Sequence, residues 1–376
     1  VNEEKEEKAE EKQVVDEEKT EEDERIEKKQ VVNEEKEEDK AEEKQVVNEE
    51  KEEEKKAEEK QATDGALTEV DQNEKAKGEF HQDDFEPIQL EDMKRSAIMV
   101  NADSEVFHVV VPFLKVPGKV LDKDLNSILT QNYSNKMVWI IKDGSMTEGD
   151  EDQLGVLTAF CGGELPGLEP TYSVHKPTNT YIACIRAVKE AKRGGPAQTK
   201  YVGFESVYNF ALSTGNDTIV ILDGDDYFSS DESLSVIDAK YKRNGCWCSH
   251  GSMVGKYSEQ QKAHTLLNGK WQPRQIEWSF AHPRTFKVQL FKYMPVSDFK
   301  DQDGTWLKKG TDRGFVLRML ELSGFERSCF IDTVLYNYVT PPKGPKTAHE
   351  VPYKKRLAIM KYFKNMEPSK PLKELK

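Results

Sequence analysis

Residues 218–228 read Thr-Ile-Val-Ile-Leu-Asp-Gly-Asp-Asp-Tyr-Phe, an apolar run that stops at three carboxylates spaced around one glycine. A run of Ile, Val and Leu without polar alternation is typical of a strand covered on both faces, as in a parallel α/β sheet. Ligands of such sheets bind at the carboxyl ends of the strands. The stretch therefore predicts an α/β fold with a ligand site beside Asp223, Asp225 and Asp226.

The three carboxylates also predict a metal site. Acidic groups packed this closely repel one another and resist ionising together unless a cation neutralises them. Their hard oxygen atoms suit Mg²⁺ or Mn²⁺, and such an ion can hold a diphosphate. The alternative is a surface turn, because Asp and Gly are both favoured in turns.

A β-α-β unit precedes this strand. The sequence predicts a strand over 106–112 that Pro112 ends, an amphipathic helix over 119–131, and a second buried strand over 137–141 that is followed by Asp143. This order implies parallel strands joined by a right-handed crossover, so Asp143 and the Asp223 cluster would face one cleft. A Rossmann dinucleotide site is disfavoured, because no G-x-G-x-x-G follows the first strand, and no P-loop is present.

The net charge of the chain lies almost entirely near its N-terminus. Residues 1–60 hold 28 Asp and Glu against 14 Lys and Arg, which accounts for −14 of the net charge of −15. The remainder is near neutral, and without a basic field it predicts no nucleic-acid partner. Residues 1–64 repeat a Gln-Val-Val pattern at uneven spacing and have little to bury. We therefore predict a disordered or solvated helical tail, with a coiled-coil or partner-binding arm as the alternative.

The predicted organisation is this tail, a linker over 65–105, one α/β domain over 106–366 and a C-terminal tail over 367–376. No stretch of about 18 apolar residues exists, so no transmembrane helix is expected, and the N-terminus lacks the apolar segment of a signal peptide. The start at Val1 instead of Met suggests processing or a longer parent chain. Five irregularly spaced cysteines predict no disulfide framework, and hence a reducing, cytoplasmic compartment.

Over 106–339 the sequence resembles the family 2 glycosyltransferases, which have the GT-A fold and use nucleoside-diphosphate sugars. The resemblance rests on Val-Val-Val-Pro at 109–112, Leu-Asn-Ser-Ile-Leu-Thr-Gln at 125–131, Ile-Ile-Lys-Asp-Gly-Ser at 140–145 and Leu-Asp-Gly-Asp-Asp-Tyr-Phe at 222–228. It implies a Rossmann-like, mostly parallel central sheet flanked by helices. Lys142 departs from the pattern, because many members have an Asp there.

The resemblance also implies roles for the residues of the cleft. Asp143 would contact the nucleotide base, Asp223 would lie by the ribose, and Asp225 would hold Mn²⁺ or Mg²⁺ against the diphosphate. Asp223 is a second candidate for the metal, and Asp226 ranks behind both. Pro112 is a further candidate for contact with the nucleotide sugar.

Residues 278–286 read Trp-Ser-Phe-Ala-His-Pro-Arg-Thr-Phe and resemble the H-x-R-T-F segment of a subgroup with a D-G-D-D element. The resemblance places Trp278, His282 and Arg284 where acceptor and donor sugar meet. An aromatic ring, a His and an Arg suit sugar stacking and contacts with hydroxyl or phosphate groups. The alternative is that Trp278 and Phe286 are core residues and that Arg284 pairs with a surface acid. Lys200 is a further candidate for a sugar or phosphate contact.

Two further residues are candidates for chemistry. A predicted helix begins beside Asp312 and can end at Gly324, so Asp312 by itself indicates a helix N-cap. The resemblance makes Asp312 the general base that takes the proton of the acceptor hydroxyl, although Thr311 replaces the usual Glu. His349 follows the last predicted strand, over 331–339, and is either a plain loop residue or a metal ligand added by a closing segment.

Together these features predict a metal-dependent inverting glycosyltransferase. It would move a sugar from a nucleoside-diphosphate sugar, with UDP as the family's common carrier, to a hydroxyl of a glycan, glycoprotein or glycolipid. Two alternatives remain open. One is a nucleotidyltransferase that acts on sugar phosphates, and the other is a GT-A-like binding or scaffold module without catalytic activity.

Overall fold

The computed structural model describes residues 82–92, 105–144, 151–163, 165, 168–188, 194–211, 217–254, 264–339 and 353–375. The chain divides into two units, Val1–Gly78 and Glu79–Lys376, and every described residue belongs to the second. The predicted tail over 1–64 and the loop residue His349 lie outside the described residues.

The described part consists of helices and strands that alternate along most of the chain. The helices are α1 (Gly118–Leu129), α2 (Glu151–Cys161), α3 (Pro196–Ala211), α4 (Ser233–Asn244), α5 (Thr311–Ser323) and α6 (Tyr353–Asn365). The strands are β1 (Phe85–Pro87), β2 (Val106–Phe113), β3 (Lys136–Lys142), β4 (Thr171–His175), β5 (Thr180–Arg186), β6 (Asp217–Ile221), β7 (Tyr227–Phe228), β8 (Cys248–Val254), β9 (Ala281–Lys287) and β10 (Ser328–Asn337).

These strands form one sheet in the order β1-β4-β5-β3-β2-β6-β9-β8-β10-β7. The central strands β5, β3, β2 and β6 are mutually parallel, while β4 and β9 pair antiparallel on either side of them. Beyond β9, β8 and β10 are again parallel to each other. The predicted α/β fold, with a mostly parallel central sheet flanked by helices, is therefore confirmed.

The predicted strands form where the sequence has apolar runs without polar alternation. β2, β3 and β6 are buried along their whole length. Their ends differ from the prediction by one residue, since Phe113 continues β2 beyond Pro112 and Lys136 and Lys142 extend β3 on both sides. An apolar run predicts burial, but hydrogen bonds to the neighbouring strands decide where a strand ends.

Hydrophobic cores lie on both faces of the sheet. One core includes Phe204 of α3, Phe286 of β9 and Phe315 of α5. The Phe204 ring meets the other two edge to face, at centroid distances of 5.2 and 5.4 Å. The second core includes Leu125 of α1 and Leu157 of α2. Helices on both faces explain why the central strands carry no polar alternation.

Two disulfide bonds join neighbouring elements. Cys161 of α2 is bonded to Cys184 of β5, and Cys246 is bonded to Cys329 of β10, while Cys248 is a buried free thiol. The prediction of no disulfide framework is therefore wrong, because cysteine spacing does not reveal which elements are adjacent in the fold. Disulfides are typical of oxidising compartments, so the cysteine argument for a cytoplasmic compartment no longer holds.

Segments on either side of the predicted α/β domain pack against it. β1 lies within the predicted linker and pairs with β4. In the predicted C-terminal tail, Leu372 N–H donates to Leu322 O of α5 at 2.8 Å, and Arg327 donates to Leu372 O at 3.1 Å. Across the described ranges, no helix combines the length and apolarity needed to cross a membrane.

We expect Gly314→Ala to lower the free energy of unfolding by about 3 kcal/mol, near the upper end for overpacked sites. A Cβ at this position of α5 would overlap the carbonyl oxygen of Asp298. Gly155→Ala is the matched control, because a Cβ there would have no atom within 4 Å, and it should gain up to about 1 kcal/mol from helix propensity. Urea unfolding of both variants measures this, and similar effects would contradict the close packing.

We also expect the free energy of unfolding to fall at low pH, because His250 of β8 is buried in its neutral form. Its Nε2 is 2.8 Å from His264 Nδ1, and burial, followed by His264 and Arg284, lowers the pKa of His250 to about 3. The unfolded chain binds this proton near pH 6.5, so the contribution is present above that pH and is lost as the pH falls towards 3. Urea unfolding at pH 7.5, 6 and 4.5 measures this: between pH 7.5 and 4.5 the free energy of unfolding should fall less in His250→Gln than in wild type. Equal falls in the two proteins would contradict the role of His250.

Candidate active site

The Asp-Gly-Asp-Asp loop lies directly against the end of β2. Gly224 N–H donates to Pro112 O at 3.2 Å. A Cβ at position 224 would stand 2.6 Å from Phe113 Cβ, so this close approach requires glycine. The contact holds Asp223 and Asp225 at the carboxyl end of β6, as the apolar run predicts. Pro112 therefore holds the loop through its carbonyl group, and its contact with a nucleotide sugar stays a prediction.

Asp226 anchors the same loop to β10. Its carboxylate accepts hydrogen bonds from Tyr336 Oη at 2.6 Å and from Val339 N–H at 2.8 Å. Tyr336 Oη in turn accepts one from Asp223 N–H at 3.2 Å. Burial, with Asp223 and Asp225 nearby, raises the pKa of Asp226 to about 8. Both carboxylate oxygens are engaged, so Asp226 is an anchor in this structure and its role as a metal ligand stays a prediction.

Lys200 of α3 joins two carboxylates that are far apart in the sequence. Its Nζ lies 3.0 Å from Asp223 Oδ1 and 2.8 Å from Asp312 Oδ1, and its side chain is only 4% exposed. Burial alone would lower the pKa of Lys200, but the two carboxylates outweigh burial and raise that pKa. The ammonium group is therefore charged, and it ties the loop after β6 to the start of α5.

Arg284 of β9 contacts the second oxygen of Asp312. Its Nη1 donates to Asp312 Oδ2 and to His282 Nε2, each at 2.6 Å, and its Nε donates to Phe280 O at 2.8 Å. Because His282 Nε2 accepts, the imidazole is neutral, and burial together with the charge of Arg284 lowers the pKa of His282 well below its usual value. The H-x-R segment and the predicted base thus lie together.

Asp312 is not a helix N-cap. Helix α5 begins at Thr311, the N-cap residue is Gly310, and no side chain caps the helix. Burial would raise the pKa of Asp312, but Arg284 and Lys200 overcome this and hold the pKa well below its usual range. The N-cap interpretation is therefore wrong, and the Asp312 carboxylate is ionised and directed to two cations.

Asp143 lies after β3, as predicted, but its carboxylate binds the backbone of the loop before α3. Its oxygens accept hydrogen bonds from Gly194 N–H and Gly195 N–H, both at 2.9 Å, and the residue is 2% exposed. Its neighbour Lys142 is buried and donates to Gln153 Oε1 at 2.9 Å. Asp143 therefore holds a glycine turn here, and its contact with a nucleotide base stays a prediction.

Trp278 is partly buried and lies beside two guanidinium groups. Its ring meets Phe280 edge to face at 5.3 Å. The guanidinium carbon of Arg284 lies 5.7 Å from the ring centre, and that of Arg313 lies 4.8 Å from it. Trp278 thus combines a core contact with a position beside Arg284 and the predicted base.

Sequence reasoning missed three side chains of this region: Tyr336, Arg313 and Asp124. Asp124 of α1 is buried, and neither of its carboxylate oxygens has a partner among the described residues. Burial, together with the aspartates of the Asp-Gly-Asp-Asp loop, raises the pKa of Asp124 well above its usual value. An acidic residue between Leu121 and Leu125, on the apolar face of the predicted helix, was the signal that could have revealed it.

The loop carboxylates suit a cation. Burial and the nearby Asp223 raise the pKa of Asp225, a cost that a bound cation would relieve. Within the described ranges, no three His, Cys, Asp or Glu side chains converge into a complete metal centre. Mg²⁺ is commonly bound by one or two carboxylates together with waters and substrate phosphates. Asp223 and Asp225 therefore fit an ion that a phosphate ligand helps to hold.

No protein-family model and no curated protein match the sequence. The chain is similar to the crystal structure of S. aureus TarS 1-349 in complex with UDP-GlcNAc, with 14% identity and a TM-score of 0.41, over 63% of this chain and 59% of that one. It is also similar to the mannosyltransferase PcManGT from Pyrobaculum calidifontis in complex with GDP-Man and Mn²⁺. The identity is 14% and the TM-score 0.41, over 67% of this chain and 64% of that one. The chain thus spans about three fifths of TarS 1-349. At such TM-scores neither likeness establishes a ligand or an activity for this chain.

We expect Asp143→Asn to loosen the turn that contains Gly194 and Gly195. The variant keeps one acceptor oxygen but loses the charged bond to the other amide, so amide exchange at this turn should become at least about tenfold faster. Hydrogen exchange without nucleotide measures this, with the exposed Asp303→Asn as the control. Unchanged exchange in Asp143→Asn would show that the carboxylate does not hold the turn.

Proposed function

We propose that the chain is a metal-dependent inverting glycosyltransferase of the GT-A type that uses a nucleoside-diphosphate sugar. The observation that carries this proposal is the pairing of Lys200 with both Asp223 and Asp312. It brings the expected general base beside the Asp-Gly-Asp-Asp loop at the carboxyl ends of parallel strands. Donor and acceptor could therefore meet at one place, and the sequence motifs support the same assignment.

Asp225 and Asp223 would hold Mn²⁺ or Mg²⁺, as their position and oxygen donors allow. When bound, the ion would supply positive charge where the nucleoside diphosphate leaves. Asp226 would keep the loop in place through Tyr336. His349 stays a proposed additional ligand.

Asp312 would take the proton of an acceptor hydroxyl while that oxygen attacks the anomeric carbon in a single displacement, which inverts the configuration. Lys200 and Arg284 hold the pKa of Asp312 low. A carboxylate that is stabilised in this way is a weak base. We infer that oxygens of the bound donor take over the hydrogen bond of Lys200, and that oxygens of the acceptor take over that of Arg284. Asp312 would then become more basic when both substrates are present.

The remaining residues would position the substrates. Asp143 and Pro112 would border the nucleotide, with uridine as the family's common base. Trp278, His282 and Arg284 would contact the donor sugar or the acceptor, which we propose to be a hydroxyl of a glycan, glycoprotein or glycolipid.

One observation favours a second candidate, a GT-A-like binding module without turnover. Asp143, the expected contact for the base, is engaged by Gly194 and Gly195. Lys142 beside it lacks the carboxylate that is common in the family. Such a module would bind a ligand but would not release a nucleoside diphosphate.

Release of nucleoside diphosphate tests the proposal. With Mn²⁺ and a panel of nucleotide sugars, we expect the wild-type chain to hydrolyse one donor slowly and Asp225→Ala to abolish this release. With acceptor, Asp312→Asn should lower transfer by at least about 100-fold, the usual minimum for a general base, and should leave nucleotide binding nearly unchanged. Asp303→Asn, at an exposed position, is the control.

Other results of this assay would lead to different conclusions. Release of pyrophosphate would indicate a nucleotidyltransferase that acts on sugar phosphates. Metal-dependent nucleotide binding without release would support the binding module. Strong residual transfer by Asp312→Asn would remove Asp312 from the role of base.

A further inference from the structure

A third cation, Arg313, lies at the candidate site. It follows Asp312 in α5, and its guanidinium carbon lies 4.8 Å from the centre of the Trp278 ring. Arg284 approaches the same ring at 5.7 Å. Trp278 is thus shared by two guanidinium groups, and one of them contacts the proposed base.

Arg313 differs from the other two cations in its partners. Lys200 contacts Asp223 and Asp312, and Arg284 contacts Asp312. In the part of the chain that the structure describes, no Asp or Glu pairs with Arg313, and burial alone lowers its pKa. A partly buried cation without a carboxylate loses hydration and gains little in return, so its surroundings favour an added anion.

Among the described residues, no acceptor takes a hydrogen bond from the guanidinium group of Arg313, which lies over the Trp278 ring. A guanidinium group stacks on an aromatic ring through its face, whereas its five N–H donors point outward in its own plane. Such a planar set of donors matches the oxygens of a phosphate or a carboxylate, often in pairs. The Trp278 ring would therefore hold the Arg313 guanidinium group in position to bind an oxyanion.

The position of Arg313 indicates which substrate carries that oxyanion. Lys200 links one oxygen of Asp312 to Asp223, where the donor diphosphate is proposed to bind. Arg284 binds the other oxygen of Asp312 and shares the Trp278 ring with Arg313. An acceptor hydroxyl must reach Asp312 to lose its proton, so Arg313 lies on the acceptor side of the base.

We propose that Arg313, which lies over Trp278, binds an oxyanion of the acceptor. The acceptor would then carry a phosphate or a carboxylate close to the hydroxyl that is glycosylated. This proposal rests on the proposed function, because it takes Asp312 as the point where the acceptor reacts. Neutral acceptors would lack the contact and would bind more weakly.

Calorimetric titration of inorganic phosphate into the full chain tests the proposal. It is done first alone and then with Mn²⁺ and saturating UDP or GDP, so that the donor site is filled. Wild type should bind phosphate in both states, and Arg313→Gln should bind it at least about tenfold more weakly, as expected for a lost bond to a charged group. Arg313→Lys keeps the charge without the planar donors and should lie between them.

Arg327→Gln is the matched control, because Arg327 lies over another indole, Trp247, at 4.0 Å, and this variant should bind phosphate like wild type. Equal affinity in Arg313→Gln and wild type, or no phosphate binding to wild type, would overturn the proposal. Loss of phosphate binding when nucleotide and Mn²⁺ are present would assign the anion to the donor and would overturn the acceptor assignment. If neither UDP nor GDP binds, the proposed transferase function is contradicted. The titration without nucleotide still decides whether Arg313 forms an oxyanion site.

Discussion

A buried ammonium group between two carboxylates sets the geometry of the candidate site. A buried charge is costly unless it is paired, so both Asp223 and Asp312 must stay beside Lys200 for the fold to hold this lysine charged. Helix α3, the loop after β6 and the start of α5 are thereby fixed relative to one another. Arg284 completes the arrangement, since it neutralises the second oxygen of Asp312.

The acidic loop is equally constrained by its surroundings. Gly224 allows it to lie against β2, and the Tyr336 hydroxyl bonds both to Asp226 and to the backbone of Asp223. These contacts keep the loop carboxylates close together, a cost that Lys200 offsets in part. Carboxylates held in this way are positioned before a cation or a phosphate arrives, which lowers the entropy lost on binding. Arg313, a partly buried cation without a carboxylate partner among the described residues, would instead be stabilised by an anion.

The elements of the fold could be predicted because their signals are local. An apolar run such as β6 gains free energy by burial wherever the rest of the chain goes, and a helix such as α1 is marked by its own periodicity. The partners of Cys161 and Cys246 could not be predicted, because a disulfide depends on which elements become neighbours. The same limit applies to the short strand β1, which is stabilised by pairing with β4.

For the site, the sequence by itself determined which residue types stand at the ends of the strands, and its motifs singled out Asp312 as the candidate base. Only the tertiary structure decided what those carboxylates contact. Asp312 and Lys200 are 112 positions apart, Asp143 is bound by a glycine turn from another loop, and Tyr336 comes from the far end of the domain. A carboxylate's protonation and availability depend on the charges and donors that folding brings within a few ångströms, and no local pattern records those distances.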